Sequence, residues 1–163
     1  MHASKFTLVR AALVASTIAL IGYAVLQQPA IAHDAKNFTA GEPGNPKRTS
    51  KTIAITMRES DGKMLFSPSR IEVRQGEQVK FVLTNAGHLD HEFMIATPEE
   101  NQKHAVLMQK YPDMVHEDPN GRTVKTKQKG ELIWRFTKRG TFEFACLMPG
   151  HYEAGMLGTI IVK

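Results

Sequence analysis

The stretch Phe144-Ala145-Cys146-Leu147-Met148-Pro149-Gly150-His151-Tyr152-Glu153-Ala154-Gly155-Met156 carries the single cysteine of a 163-residue chain. His151 follows Cys146 by five positions, and Met156 follows His151 by five. A thiolate, an imidazole and a thioether on one short loop form a soft, polarizable donor set. That set suits copper cycling between Cu(I) and Cu(II) better than it suits zinc, calcium or magnesium. Apolar segments flank the loop: Thr141 to Ala145 before it and Gly158 to Val162 after it. Both read as strands, and a loop strung between two strands holds its donors in a fixed geometry.

A trigonal copper site needs two histidines and one cysteine in plane, with a weak axial methionine. The second histidine must come from upstream. His91, in Leu89-Asp90-His91-Glu92-Phe93-Met94-Ile95, is preferred because the apolar run that follows carries it toward the core. His88 competes, but it follows Ala86-Gly87 in a turn, where an exposed imidazole is the ordinary outcome. Met156 could be plain core filling, a common use of methionine; its place at the end of the loop favours the axial role. The metal set read from the residues is therefore His91, Cys146, His151 and Met156, holding one copper ion.

Cys146…Pro149-Gly150-His151…Gly155-Met156, running into Gly158-Thr159-Ile160-Ile161-Val162, resembles the ligand loop and last strand of the cupredoxin (blue copper) family, the plastocyanin, azurin and auracyanin group. The resemblance spans roughly Thr52 to Lys163. It implies an all-β Greek-key sandwich and a type 1 copper site. In many cupredoxins an Asn follows the first ligand histidine and ties the two ligand loops together; here Glu92 stands at that position. The whole chain is most similar to small exported cupredoxins linked to copper tolerance.

The N-terminal segment reads as an export signal. Lys5 and Arg10 precede an apolar run from Ala11 to Leu26, and Ala30-Ile31-Ala32 fits a small-x-small cleavage pattern. Arg10 stands alone, so the signal is of the Sec type rather than twin-arginine. Cleavage of residues 1–32 leaves 131 residues, a single domain by length. The whole chain carries +5, and the mature part, with 19 basic and 16 acidic residues, carries +3. This mild and mixed charge, with no basic stripe, excludes a nucleic-acid binder. An exported chain with one cysteine cannot form an internal disulfide, and coordination would hold that sulfur as a thiolate.

Residues 33–50, with Gly41, Pro43, Gly44 and Pro46, read as an extended, mobile arm ahead of a domain at 51–163. Ile53, Ile55 and Met57 alternate with polar positions, as do Val79, Phe81 and Leu83; each set predicts a strand. Beyond the Asp61-Gly62 turn, further strands are expected after Pro68 within Phe66 to Val73, and over Glu92–Ala96, Glu131–Thr137, Gly140–Cys146 and Gly158–Lys163. Thr97-Pro98-Glu99-Glu100 predicts a helix start, running to about Lys110: Thr caps, Pro fits the first turn, and the acids meet the positive dipole end. Many short strands with one inserted helix give an all-β sandwich of about seven or eight strands.

Two functions follow. The first is a one-electron carrier that meets redox partner proteins of the periplasm transiently. It would act as a monomer without stable membrane association, and dock through the apolar loop of Met148, Pro149, Ala154 and Leu157 around His151. The alternative is a periplasmic copper-tolerance protein that sequesters or delivers copper. The remaining Met57, Met64, Met94, Met108, Met114 and Met148, with His104 and His116, offer material for an accessory Cu(I) site, Met114-Val115-His116 being the best pair; His33 at a new N-terminus is a weaker candidate. Enzymatic readings fail: hydrolase, zinc, binuclear copper, phosphate-loop and dinucleotide signals are missing from the sequence.

Overall fold

The computed structural model of the chain describes residues 38–112 and 118–163. The predicted signal segment, His33, Met114 and His116 lie outside them. The described residues form ten strands and one helix: β1 (Glu42–Pro43), β2 (Lys51–Ser60), β3 (Lys63–Ser67), β4 (Arg70–Val73), β5 (Gln78–Asn85), β6 (His91–Ala96), α1 (Pro98–Lys110), β7 (Gly121–Val124), β8 (Lys129–Arg135), β9 (Gly140–Ala145) and β10 (Leu157–Val162). They make two five-stranded sheets, in the orders β1-β8-β5-β2-β3 and β4-β10-β9-β6-β7. Pairing is parallel between β2 and β5 and between β4 and β10, and antiparallel elsewhere. This is the expected all-β sandwich with one helix.

The period-two patterns explain the layers. Ile55 and Met57 of β2, Val79, Phe81 and Leu83 of β5, and Leu132 and Trp134 of β8 turn inward from the first sheet. Phe93 and Ile95, Phe142 and Phe144, and Ile160 and Val162 face them from the second. Phe93 stacks tilted against Phe81 and Phe144, each at 5.0 Å between centroids. Such pairs add to the area-driven burial that holds the sheets together.

The structure adds two strands to the expected ones and changes one expectation. The strand expected after Pro68 is β4, which begins at Arg70 in the second sheet; β3, which ends at Ser67 in the first sheet, is not among the expected strands. Pro68 lies between them and has no N–H to continue a ladder. β7 is likewise not among the expected strands; it pairs with β6. Residues 38–50, read as part of a mobile arm, are packed onto the first sheet. Phe38 meets Trp134 edge-on at 5.5 Å, and Trp134 Nε1 donates to Ala40 O at 3.4 Å. The buried amide of Gln78 accepts from Asn45 N and donates to Asn45 O, Arg48 O and Ser50 Oγ. A Cβ on Gly41 would lie 2.1 Å from Arg135 O, so the glycine permits close approach to β8.

Helix α1 starts as expected. Thr97 Oγ1 accepts from Glu100 N, and the Glu100 carboxylate accepts from Thr97 N, a capping box. Asn101, Ala105 and Met108 form its buried face. With Met94, Ala145, Leu147 and Tyr152 it makes a second, smaller core. Among the described residues, no helix is long and apolar enough to cross a membrane.

Candidate metal centre

Cys146 directly follows β9, and His91 opens β6, the neighbouring strand in the second sheet. The register pairs Met94 with Ala145, which sets the two segments side by side. The loop after Cys146 then folds back on itself. His151 N donates to Met148 O at 3.0 Å, Met156 N to His151 O at 3.1 Å, and Cys146 N to Met156 O at 3.0 Å. Gly150 and Gly155 take φ of +84° and +89°, left-handed values that β-carbon-bearing residues adopt at a cost.

This folding brings three donors together. Ligand atoms of His91, Cys146 and His151 all lie within 4.8 Å of one another, one such group among the described residues. His91 Nδ1 is 3.3 Å from His151 Nδ1, and His151 Nδ1 is 3.3 Å from Cys146 Sγ. His91 and Cys146 are fully buried, and His151 is half-buried. His88 is exposed and outside the group. Met156 is fully buried in the main core beside Cys146 and closes the loop by its backbone.

Burial pushes the Cys146 thiol up to about 12; the amide N–H groups of Glu92 and Met148 oppose that rise, and the Glu92 carboxylate adds to it. A buried thiolate at neutral pH therefore needs a cation beside it. Burial, then the neighbouring His91, lowers the pKa of His151, so its imidazole is neutral and its lone pair is available. One cysteine sulfur and two imidazole nitrogens converging in a buried site fit a type 1 copper ion.

Glu92 stands where many cupredoxins carry Asn, and it ties the two loops in its own way. Its backbone N–H donates to Cys146 Sγ at 3.2 Å, and its Oε2 accepts from Leu147 N at 3.4 Å. Tyr152, next to His151, donates to the buried Glu143 carboxylate at 3.3 Å; Asn101 of α1 donates to the same oxygen at 3.0 Å. Gln109 of α1 also reaches Glu153. The inserted helix thus braces the metal loop from behind.

The residue that sequence reading missed is Glu59, near the end of β2 in the opposite sheet. Its Oε1 lies 2.8 Å from His91 Nε2. Oε2 accepts from His88 N at 2.9 Å, and Oε1 from Leu89 N at 3.1 Å. Burial raises the Glu59 pKa, but the His88 and Leu89 amides and the His91 ring outweigh it and hold the carboxyl at about 2. No local pattern marks this acid, since its partners lie some thirty residues away.

Among the described residues, the other soft side chains lie mostly in or against the two cores. Met57 is in the main core, Met94 and Met108 are in the second core, and Met64 and Met148 pack partly buried against the main one. His104 is half-buried on α1.

The comparisons with known proteins agree with this geometry. The profile of copper binding proteins of the plastocyanin/azurin family matches residues 53–163. The chain is 44% identical over 132 residues to the copper-resistant cuproprotein CopI of Rubrivivax gelatinosus, covering 81% of this chain and 78% of that protein. It is 36% identical to the CopI of Pseudomonas aeruginosa, covering 76% and 82%. Auracyanin B shares the fold at a TM-score of 0.61 and 19% identity, over 76% of this chain and 96% of that one. The auracyanin of Roseiflexus castenholzii gives 0.59 and 20%, over 71% and 99%. The chain belongs to the plastocyanin/azurin family of copper-binding proteins, the cupredoxins.

Proposed function

We propose that this chain is an exported copper-tolerance protein that holds one copper ion in a type 1 site. His91, Cys146 and His151 would hold the copper, with Met156 as its weak fourth donor. The observation that carries the reading is the buried convergence of one thiol and two imidazoles, in a chain 44% identical to a copper-resistant cuproprotein. Copper bound there supplies one-electron chemistry under thiolate ligation. The chain supplies a braced pocket: the β9 end fixes the sulfur, the self-bonded loop fixes His151, and the neighbouring strand fixes His91. Binding, not turnover, is its task. Lys5, Arg10, the apolar run to Leu26 and Ala30-Ile31-Ala32 support export to the periplasm by a cleaved signal.

The electron-carrier expectation stands second. Its support is the half-buried His151, with exposed Pro149 and Leu157 and half-buried Met148 and Ala154 on the same loop. It would work as a monomer in transient contact with periplasmic redox proteins. The names of the relatives favour tolerance over this reading.

The test begins with Cu(II) loading of the mature protein. An intense visible thiolate-to-copper band at one copper per chain is expected, lost in Cys146→Ser while the fold remains. The wild-type chain should raise the copper limit of a copper-sensitive bacterium, and Cys146→Ser should not. A coloured one-copper protein without protective effect moves the reading to the electron carrier. A colourless Cu(II) complex removes the type 1 assignment.

A further inference from the structure

His91 is held from two sides. Its Nδ1 faces His151 and the Cys146 group, and its Nε2 faces the Glu59 carboxylate at 2.8 Å. An ionised carboxylate only accepts hydrogen bonds, so the Nε2 atom must carry the proton. In the neutral ring the Nδ1 lone pair is then bare and aimed at the donor group. His91 is fully buried, and the carboxylate is the partner that its Nε2 meets there. Glu59 is itself pinned, by the amides of His88 and Leu89. The fold also makes room for it: a Cβ on Gly87 would sit 2.5 Å from both carboxylate oxygens. Glu59 belongs to β2 and His91 to β6, so the contact joins the two sheets at the metal end.

We propose that Glu59 is a positioning residue of the copper site: a cross-sheet carboxylate that fixes the ring and tautomer of His91 and favours the cupric over the cuprous state. The inference rests on the ligand role proposed for His91. The physical reason is charge. A carboxylate hydrogen-bonded to the far nitrogen of a ligand imidazole makes that ligand more basic. Its negative charge also stabilises a dipositive ion more than a monopositive one at the same distance.

Two measurements test it. The first uses the metal-free wild-type protein at a pH high enough to leave the imidazoles neutral, with the histidine nitrogens followed by ¹⁵N NMR. His91 should be protonated at Nε2 and bare at Nδ1; the opposite tautomer overturns the assignment. The second uses Glu59→Gln, which keeps the volume and an acceptor oxygen but removes the charge. Cu(II) affinity should fall about tenfold relative to Cu(I), within the range for loss of an outer partner of a ligand histidine. For a one-electron couple this raises the reduction potential by about 59 mV. A carboxylate that only supports the fold would weaken both oxidation states alike and leave the potential in place, so an unchanged potential sinks the proposal. If Glu59→Gln does not fold, Gly87→Ala, which pushes the carboxylate away, should raise the potential in the same direction; no shift there is equally fatal. A wild-type protein without the thiolate band fails the copper reading itself. A coloured wild type with an unresponsive potential fails only the role of Glu59.

Discussion

The two segments that carry the candidate ligands are built in opposite ways. The loop from Cys146 to Met156 is closed by its own backbone: Cys146 bonds to Met156, Met156 to His151 and His151 to Met148. The turn from Asn85 to His91 is held from a distance. Asn85 Nδ2 donates to Leu89 O and to Val124 O, 39 residues away. Asp90 accepts from Thr126 N and pairs with Lys125, and His91 meets Glu59 from the other sheet. The Lys125 ammonium and the Thr126 amide hold the Asp90 carboxyl below its usual range. The bonds that close the first segment are local in sequence; those that hold the second reach into both sheets.

The largest expected effect separates the two histidines of the upstream turn. His91→Ala removes a buried donor and should cost copper more than about 100-fold in affinity, beyond the loss typical of outer partners, together with the visible band. His88→Ala should leave the spectrum intact, because only the backbone N–H of that residue is engaged, by Glu59. The reverse pattern would place the ligand at His88 and undo the comparison.

Next come stability measurements on the metal-free protein by urea unfolding. Asn85→Ala removes a buried side chain that makes three hydrogen bonds, to Leu89, Val124 and Gly87. It should destabilise by about 1–3 kcal/mol, the cost of leaving buried partners unmet. Gly150→Ala meets open space but keeps a φ of +84°. It should cost about 1 kcal/mol of left-handed strain. Equal costs, or a larger one at Gly150, would mean that the C-terminal loop also depends on remote packing.

The smallest expected effect is at Met156. Met156→Leu conserves volume and should change stability by less than about 1.5 kcal/mol. The coloured site should survive and its potential rise, since a weak donor that helps the cupric state has gone. Cyclic voltammetry decides the direction; loss of the band would make the thioether a strong ligand rather than an axial one.

Much of this was legible in the chain itself. Alternation in Ile53–Met57 and Val79–Leu83 marked β2 and β5, because strand side chains alternate between core and solvent. Thr97-Pro98-Glu99-Glu100 marked the helix, because caps act over three or four residues. Cys146, His151 and Met156 were legible for the same reason: their spacing and their backbone bonds are local. Tertiary structure alone decided the rest. It placed β3 and β4, on either side of Pro68, in different sheets, drew residues 38–50 onto Trp134 and Gln78, and set Glu92 between the ligand loops. It also brought Glu59 to His91. Each of these depends on contacts between residues far apart in sequence, and sequence spacing carries no record of which distant partners packing will bring together.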